Sequence, residues 1–511
     1  MSSILTNTSA MVALQTLKGI NASLNKTQAE ISTGKSVASA KDNAAVWAIS
    51  KVMEADVKGF KGISDSLALG ESTVALARQA SETVTDLLTD IKGKIVAAQE
   101  QNVDREKIQT DINALRSQIG SVVGAAQFNG LNLIQGTADV NILSSLDRAA
   151  DGSVTASNIT VARHDLSTDA GVFGTGTSLA ANAVVANSAT AVASAGNTAV
   201  VTFAGSGANY DGATATITVA GVDLSYTGVT GDDETSAATY FSGAINALGL
   251  SGVTASATGA DLTLTSTSAF TDTTTTVSGL AGTAAGTVIT ALNGTTGLTL
   301  TTGDIAERAE KVDFSTAAAV TEGDGYKVTI GAGSYNYIAG KGENMEDVAR
   351  GLKTAVDSAG LTGITTTVAQ DATTGQWSLK VDNDGTGSAS LGFSTTGNAG
   401  GTASGGLFGL DNIDVTTNAG ANSGLDNIET MISSAIDVAA SFGSAQGRIE
   451  TQSTFIGKLT DALKTGIGAM VDADMEEASA RLQALQVQQQ LGIQSLSIAN
   501  QAPQNILSLF R

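Results

Sequence analysis

The feature that most constrains this chain is an apolar repeat near its C-terminus. From Leu425 to Met470, apolar and small residues return every three or four positions, a spacing that places them on one face of a long helix. Such a face is not stable in water by itself. The repeat therefore predicts a partner helix of similar length, in this chain or in another copy.

The N-terminal part of the chain has a matching pattern. Residues 1–33 predict an amphipathic helix, and the pattern lapses into small and polar residues at 34–43. Heptad spacing then runs from Ile49 to Ala98, longer than an ordinary globular helix and typical of a coiled coil or long bundle. A shorter helix follows a turn, and Asp104 is its predicted N-cap.

The C-terminal repeat slips by one residue near 471–474. A slip of this kind changes the buried face, so one long helix should pass there from one packing partner to another. We expect 1–33 to pair with 476–511, and 44–130 to pair with 424–468.

The middle of the chain has a different composition. Most of the 58 glycines lie between residues 141 and 423, among Thr-rich alternating runs typical of strands. This region contains an internal repeat. Equivalent positions of its two copies are separated by one constant number of residues, the same number that separates Tyr226 from Tyr337. The repeat predicts a duplicated module of strands and one helix, over 235–248 and 346–359. The stretches 170–198 and 270–305 are expected to be connectors or weak strands.

The predicted fold is multidomain. Both chain ends form an α-helical coiled-coil or bundle core, and duplicated β-rich α+β outer domains are inserted between them. The segments, in chain order, are an N-terminal inner-core helix (1–33), a linker (34–43), the N-terminal part of the bundle with a β-hairpin (44–166), a first outer module (167–305), a second outer module repeating the first (306–423), a C-terminal bundle helix (424–468), a linker (469–475) and a C-terminal inner-core helix (476–511).

Composition excludes several functional classes. The net charge of −22 and the pI near 4.3 argue against a nucleic-acid or anionic-membrane surface. Because the chain has no Cys and one His, His164, we expect no zinc site, no cofactor and no nucleophile–base catalysis. The N-terminus lacks a Sec-type signal pattern, and no apolar run is long enough to span a membrane.

Several motifs at the two ends resemble bacterial flagellin. They are SILTNTSAMVALQTL, ISTGKSVASAKDNAAVWAIS, AQFNGLNLIQG and SIANQAPQNILSLFR, which lie within 1–166 and 424–511. Val46 and Trp47, where many flagellins have Gly and Leu, resemble the alphaproteobacterial branch.

The resemblance implies a secreted, extracellular subunit of the flagellar filament, exported unfolded through the flagellar type III apparatus. The implied partners are further copies of the chain, an export chaperone, a filament cap protein and a hook–filament junction protein. Assembly would be head-to-tail, with terminal helices bundled around a channel and β modules outside. The predicted subunit-interface residues are Leu14, Leu17, Leu24, Ile31, Leu482, Leu485, Leu491, Leu496, Leu507 and Phe510.

In many flagellins, a Toll-like receptor of innate immunity recognises a patch on the first long helix and its neighbour. The matching positions here are Lys92 for an Arg, Val96 for a Leu and Asp111 for a Glu. Because Lys does not reproduce the bidentate fork of Arg, we expect weak or absent receptor activation.

Two other functions are compatible with the sequence. A hook–filament junction protein would have similar terminal helices but few copies, and self-polymerisation distinguishes the two. A secreted binding module would hold a carbohydrate or surface ligand on residues 170–420, with the helices as a stalk.

Overall fold

The structure is a computed structural model that describes residues 7–149, 153–203, 210–279 and 286–508, without the side chains of 502–508. Helices occupy both ends and strands fill the middle, which confirms the predicted fold class. The helices of the described residues are α1 (Thr8–Thr33), α2 (Ala44–Ala98), α3 (Arg105–Ala125), α4 (Glu234–Ala247), α5 (Met345–Asp357), α6 (Asn418–Val471) and α7 (Met475–Ser508).

The chain divides into two compact units. We call Met1–Ser72, Asn141–Val161 and Ser444–Arg511 the terminal unit, and Thr73–Val140 with Ala162–Gly443 the central unit. Helices α2 and α6 contribute residues to both.

In the terminal unit, the C-terminal segment forms two helices, α6 and α7, and the break between them lies within the predicted linker 469–475. Helix α6 ends at Val471, and Asp474 caps α7 by accepting hydrogen bonds from Glu476 N (3.0 Å) and Glu477 N (3.2 Å). The segment between α6 and α7 lies against the segment that follows α1, because Ala473 N donates to the Gly34 carbonyl at 3.0 Å. The predicted slip is therefore a break between two helices. Side-chain capping and main-chain hydrogen bonds to the segment after α1 stabilise it.

The helices of the central unit follow the predicted heptad pattern. Ile91 and Ile95 of α2 and Ile428 of α6 are fully buried. Asp104 caps α3 as predicted, because its Oδ1 accepts from Lys107 N at 3.2 Å. Burial of this apolar face is what keeps helices of this length stable.

Among the described residues, six strands precede the repeat: β1 (Gln127–Phe128), β2 (Leu131–Asn132), β3 (Val140–Arg148), β4 (Val154–Val161), β5 (Ala183–Val185) and β6 (Ala191–Ala193). Strands β3 and β4 pair as the predicted hairpin. In the terminal unit, Gln452 Nε2 of α6 donates to the Ser144 carbonyl of β3 at 2.9 Å.

The first module contains α4 and the strands β7 (Asn197–Thr202), β8 (Thr214–Val219), β9 (Val222–Thr227), β10 (Val253–Thr258), β11 (Asp261–Ser266), β12 (Thr273–Ser278), β13 (Val288–Leu292), β14 (Thr295–Leu300) and β15 (Thr302–Ile305). The second contains α5 and the strands β16 (Glu310–Phe314), β17 (Gly325–Ile330), β18 (Gly333–Ile338), β19 (Ile364–Gln370), β20 (Trp377–Asn383) and β21 (Ser390–Asn398).

The two modules share one topology, which confirms the duplication. The first has the strand orders β10-β11-β7 and β12-β8-β9, and the second has β19-β20-β16 and β21-β17-β18 in the same places. Strand β8 begins at Thr214 and the equivalent strand β17 begins at Gly325. These two residues are as far apart in sequence as Tyr226 and Tyr337, so the predicted repeat relates equivalent strands. Each module encloses its own apolar core beneath its helix.

The edge strands differ from the sequence expectation. Strands β13 and β15 extend the first module, but β5 and β6 pair with β16 and β21 of the second. Val192 of β6 is fully buried in the second core, although the sequence placed it within the first module at 167–305. Strands of three residues are too short for alternation to reveal their partner.

One glycine distinguishes the packing of the two helices of the modules. A Cβ on Gly351 of α5 would lie 2.6 Å from Cδ1 of the Tyr337 ring, whereas a Cβ on Gly243 of α4 would have no heavy atom within 4 Å.

We predict that Gly351→Ala lowers the free energy of unfolding by about 1–3 kcal/mol, because the buried Tyr337 ring must move. Gly243→Ala is the matched control and should raise it by about 0.5–1 kcal/mol through helix propensity. Urea unfolding of the full-length chain measures both. Stabilisation by both substitutions would contradict the packing.

Candidate functional site

The paired end helices α1 and α7 form the candidate functional site. Gln489 Nε2 donates to Asn21 Oδ1 at 2.6 Å, and Asn7 Nδ2 donates to the Ala499 carbonyl at 2.9 Å. A Cβ on Gly492 would lie 3.2 Å from Leu17 Cδ1, so the two backbones approach closely there. The polar pair inside the apolar seam fixes the register of the helices.

The predicted interface residues fall into two groups. Leu485 is 9% exposed and faces the pairing within the chain, while Leu14 and Leu491 remain 44% and 57% exposed. The half-buried residues of the set are Leu17, Leu24, Ile31, Leu482 and Leu496. Phe510 and the side chain of Leu507 lie outside the described residues. Much of the predicted seam is therefore occupied by the chain's own other end.

Other apolar side chains on the same two helices are more exposed, and the sequence analysis did not include them. They are Met11 (64%), Val12 (63%), Val487 (57%), Ile493 (55%) and Ile498 (68%). Residues 487, 491 and 498 differ by four and seven positions, which is a second helical stripe. That spacing is the signal present in the sequence, and it lies beside the principal seam rather than within it.

The three positions of the receptor patch lie in the central unit. Lys92 Nζ forms an ion pair with Glu429 of α6, and Lys94 Nζ lies 2.6 Å from Asp111 Oδ2. Val96 is 48% exposed. Two of the three side chains are thus engaged by neighbours of opposite charge.

His164 borders a polar cavity of about 540 Å³ in the central unit. Its Nε2 lies 3.1 Å from Ser441 Oγ, and burial lowers its pKa from 6.5. Its ring packs edge-on against Phe442, with centroids 5.7 Å apart. Ser441 itself is not among the residues that line the cavity.

The described residues contain no group of three or more His, Cys, Asp or Glu side chains placed to hold a metal ion. Within the same ranges, no helix has the length and apolarity needed to cross a membrane.

Comparison with known proteins places both chain ends in one family. Residues 4–139 match the bacterial flagellin N-terminal helical region, and residues 425–510 match the C-terminal helical region. Flagellin A of Rhizobium meliloti is 32% identical, and flagellin B of the same species is 31% identical, with full coverage of both chains in each case. The flagellin of Brucella melitensis biotype 1 is 40% identical over 32% of this chain and 59% of that protein.

Among solved structures, the flagellar hook-associated protein-3 of Legionella pneumophila covers 82% of this chain and 98% of its own. The TM-score is 0.32 and the identity is 9%, which is too distant a likeness to carry an argument about function.

We predict that Leu485→Ala weakens the pairing of α1 with α7 by about 2–3 kcal/mol, because it removes a buried side chain. Leu491→Ala, on an exposed position, should cost less than about 0.5 kcal/mol. Hydrogen exchange of the α1 amides in the full-length chain measures the difference. Equal loss of protection in the two variants would show that the seam is placed wrongly.

Proposed function

This chain belongs to the flagellin family, so it is a structural subunit of the flagellar filament and not an enzyme; we propose that it polymerises through the apolar side chains its paired end helices leave exposed. The alphaproteobacterial form that Val46 and Trp47 indicated is confirmed by the Rhizobium and Brucella relatives.

One observation carries this proposal. Large apolar side chains of α1 and α7 remain at least 44% exposed although the two helices already pair: Met11, Val12, Leu14, Met475, Val487, Leu491, Ile493 and Ile498. An exposed apolar surface of this kind marks an interaction site. Burying about 1,000 Å² of it per subunit, at about 25 cal/mol per Å², would contribute about 25 kcal/mol before ordering costs.

The occupant of this surface is a second copy of the same chain. A helical polymer needs a heterologous contact, in which one face meets a different face of the neighbour and the contact never closes into a ring. The exposed side chains of α1, Met11, Val12 and Leu14, and the exposed stripe of α7, Val487, Leu491 and Ile498, supply two such faces.

The export route and the other partners belong to the same proposal. The chain would leave the cell unfolded through the flagellar type III apparatus, escorted by an export chaperone, and add to the filament under a cap protein beyond a hook–filament junction protein. The absence of Cys in the sequence supports this, because no disulfide hinders an unfolded chain. The single Pro, Pro503, also limits slow isomerisation during refolding.

We predict that deleting residues 476–511 leaves a soluble monomer that does not polymerise, because the deletion removes α7 from Glu476 onward, with its half of the seam and its exposed stripe. Electron microscopy of the purified chain after warming in salt is the measurement. The full-length chain should form filaments micrometres long, which also separates it from a junction protein. Normal filaments from the truncated chain would reject the proposed interface.

A point variant tests the exposed stripe without removing a helix. Leu491→Ser should raise the critical concentration for polymerisation at least tenfold while the monomer keeps its helix content. Thr465→Ser, on an exposed position of α6, is the control and should polymerise normally.

We also predict weak or absent activation of the Toll-like receptor, because Lys92 and Asp111 are engaged in ion pairs and depart from the family residues. Purified monomer in a receptor reporter assay gives the result. The triple variant Lys92→Arg, Val96→Leu, Asp111→Glu should raise the signal. A strong response from the unmodified chain would refute the prediction.

A further inference from the structure

The duplicated modules contain the same hydrogen-bonded carboxylate twice. In the first module, Asp232 Oδ2 accepts from Tyr226 Oη at 2.5 Å and from Val229 N at 2.9 Å. In the second, Glu343 Oε1 accepts from Tyr337 Oη at 2.8 Å, and its Oε2 accepts from Gly340 N at 2.9 Å. All three pairs of positions are related by the one offset of the internal repeat.

The surroundings of the two copies differ. Tyr226 packs on Tyr240 of its own module, with ring centroids 5.2 Å apart. The position equivalent to Tyr240 is Gly351, and Tyr337 instead packs on Phe408, 6.1 Å away in the segment that follows the second module. The ring that covers the tyrosine is therefore supplied by residues 403–408 and not by the module itself.

Glu343 also borders a cavity in the central unit. The cavity measures about 540 Å³ and is bordered by residues of α5, of the segment 403–408, of α6 and of the segment 163–165. The module and the helical part are further joined where Lys353 Nζ, a buried group, donates to Asn427 Oδ1 at 3.2 Å. Glu343 thus lies at the attachment of the second module to the helical part of the central unit.

After burial, the Asp347 carboxylate is the neighbour whose charge disfavours the ionised form of Glu343. Five further carboxylates line the cavity: Asp165, Glu346, Asp347, Glu429 and Asp437. The permanent cations are Arg163, Lys341 and Arg350, of which Lys341 pairs with Asp139 and Arg350 with Glu346. His164 is the remaining titratable neighbour, and burial lowers its pKa.

These surroundings separate the acidities of the two copies. The hydrogen bond from Tyr226, followed by that from Val229, lowers the pKa of Asp232. Burial raises the pKa of Glu343 from 4.5 to about 7, against the opposing hydrogen bonds from Gly340 and Tyr337. One motif therefore titrates near neutrality in the second module, while in the first it stays ionised there.

We propose that Glu343 and Tyr337 form a pH-operated latch that holds residues 403–408 against the second module. With Glu343 protonated, the latch is closed and Tyr337 packs on Phe408. Ionisation adds a sixth carboxylate to the five that line the cavity, draws water into the cavity and loosens the loop 339–344.

The direction of the pH dependence follows from the raised pKa. The folded latch binds its proton more tightly than the opened one, so its stability is complete below pH 4.5 and is lost as pH rises through about 7. His164 has a lowered pKa, so its contribution is lost as pH falls below 6.5, in the opposite direction.

Hydrogen–deuterium exchange of the full-length chain between about pH 5 and 8, corrected for intrinsic rates, tests the latch. Protection of residues 339–344 should fall roughly tenfold or more in the wild-type chain, as linkage for a shift of this size allows. Glu343→Gln should abolish this fall in protection with rising pH, since the amide cannot ionise. His164 is retained in the variant, and its titration acts in the opposite direction.

Asp232→Asn is the matched control and should leave the pH dependence of residues 339–344 unchanged. The equivalent loop at 228–233 should show no dependence in this range. Persistence of the wild-type dependence in Glu343→Gln, or the same dependence in the loop at 228–233, would overturn the proposal.

A second variant keeps the test decisive if Glu343→Gln folds poorly. Tyr337→Phe removes a hydrogen bond that lowers the pKa of Glu343, so the midpoint of the exchange transition should move to higher pH. A merely structural tyrosine would change protection equally at every pH, and that result would also overturn the latch.

Discussion

The stability of the end helices α1 and α7 depends on burying their apolar faces against each other. A helix as long as α1 or α7 with one apolar stripe is not stable alone in water, and each provides the surface that the other needs. The polar pair Asn21–Gln489 sets their register, and the close approach at Gly492 sets their distance. The pairing is incomplete, because Met11, Val12 and Leu14 of α1 and the second stripe of α7 remain exposed. The pattern that folds the ends thus also leaves the surface on which we propose that the filament is built.

The middle of the chain meets a different constraint. A sheet with one buried face must end in edges that are paired or covered. Each module solves this with extra strands, and the second module takes its own, β5 and β6, from chain that precedes the first. The first module is consequently inserted between an edge of the second module and the rest of it. The two copies share a topology, but the second is not one continuous stretch of sequence.

The same tyrosine–carboxylate pair occurs in both modules, but the pKa of its carboxylate depends on the surroundings of each copy. Tyr226–Asp232 and Tyr337–Glu343 have the same donors and the same spacing. The second carboxylate is covered by chain outside the repeat, and burial then outweighs the hydrogen bonds that favour ionisation. An acidic side chain common to both modules can become a titratable element in one of them.

Features that depend on neighbouring residues could be predicted from the sequence without coordinates. Three-four spacing identified the helices at both ends, Asp104 identified a helix start, and the constant offset of the internal repeat identified the duplication. These signals are local, or they recur at a fixed distance along the chain. The flagellin motifs at the two ends belong to the same class of information.

Contacts between distant segments were settled by the tertiary structure alone. It placed β5 and β6 in the second module, divided the predicted seam into buried Leu485 and exposed Leu491, and brought chain from outside the repeat against Glu343. The physical reason is common to all three. Burial, strand partner and pKa depend on which distant segment fills the neighbouring space, and the residue type and local spacing carry no record of that segment.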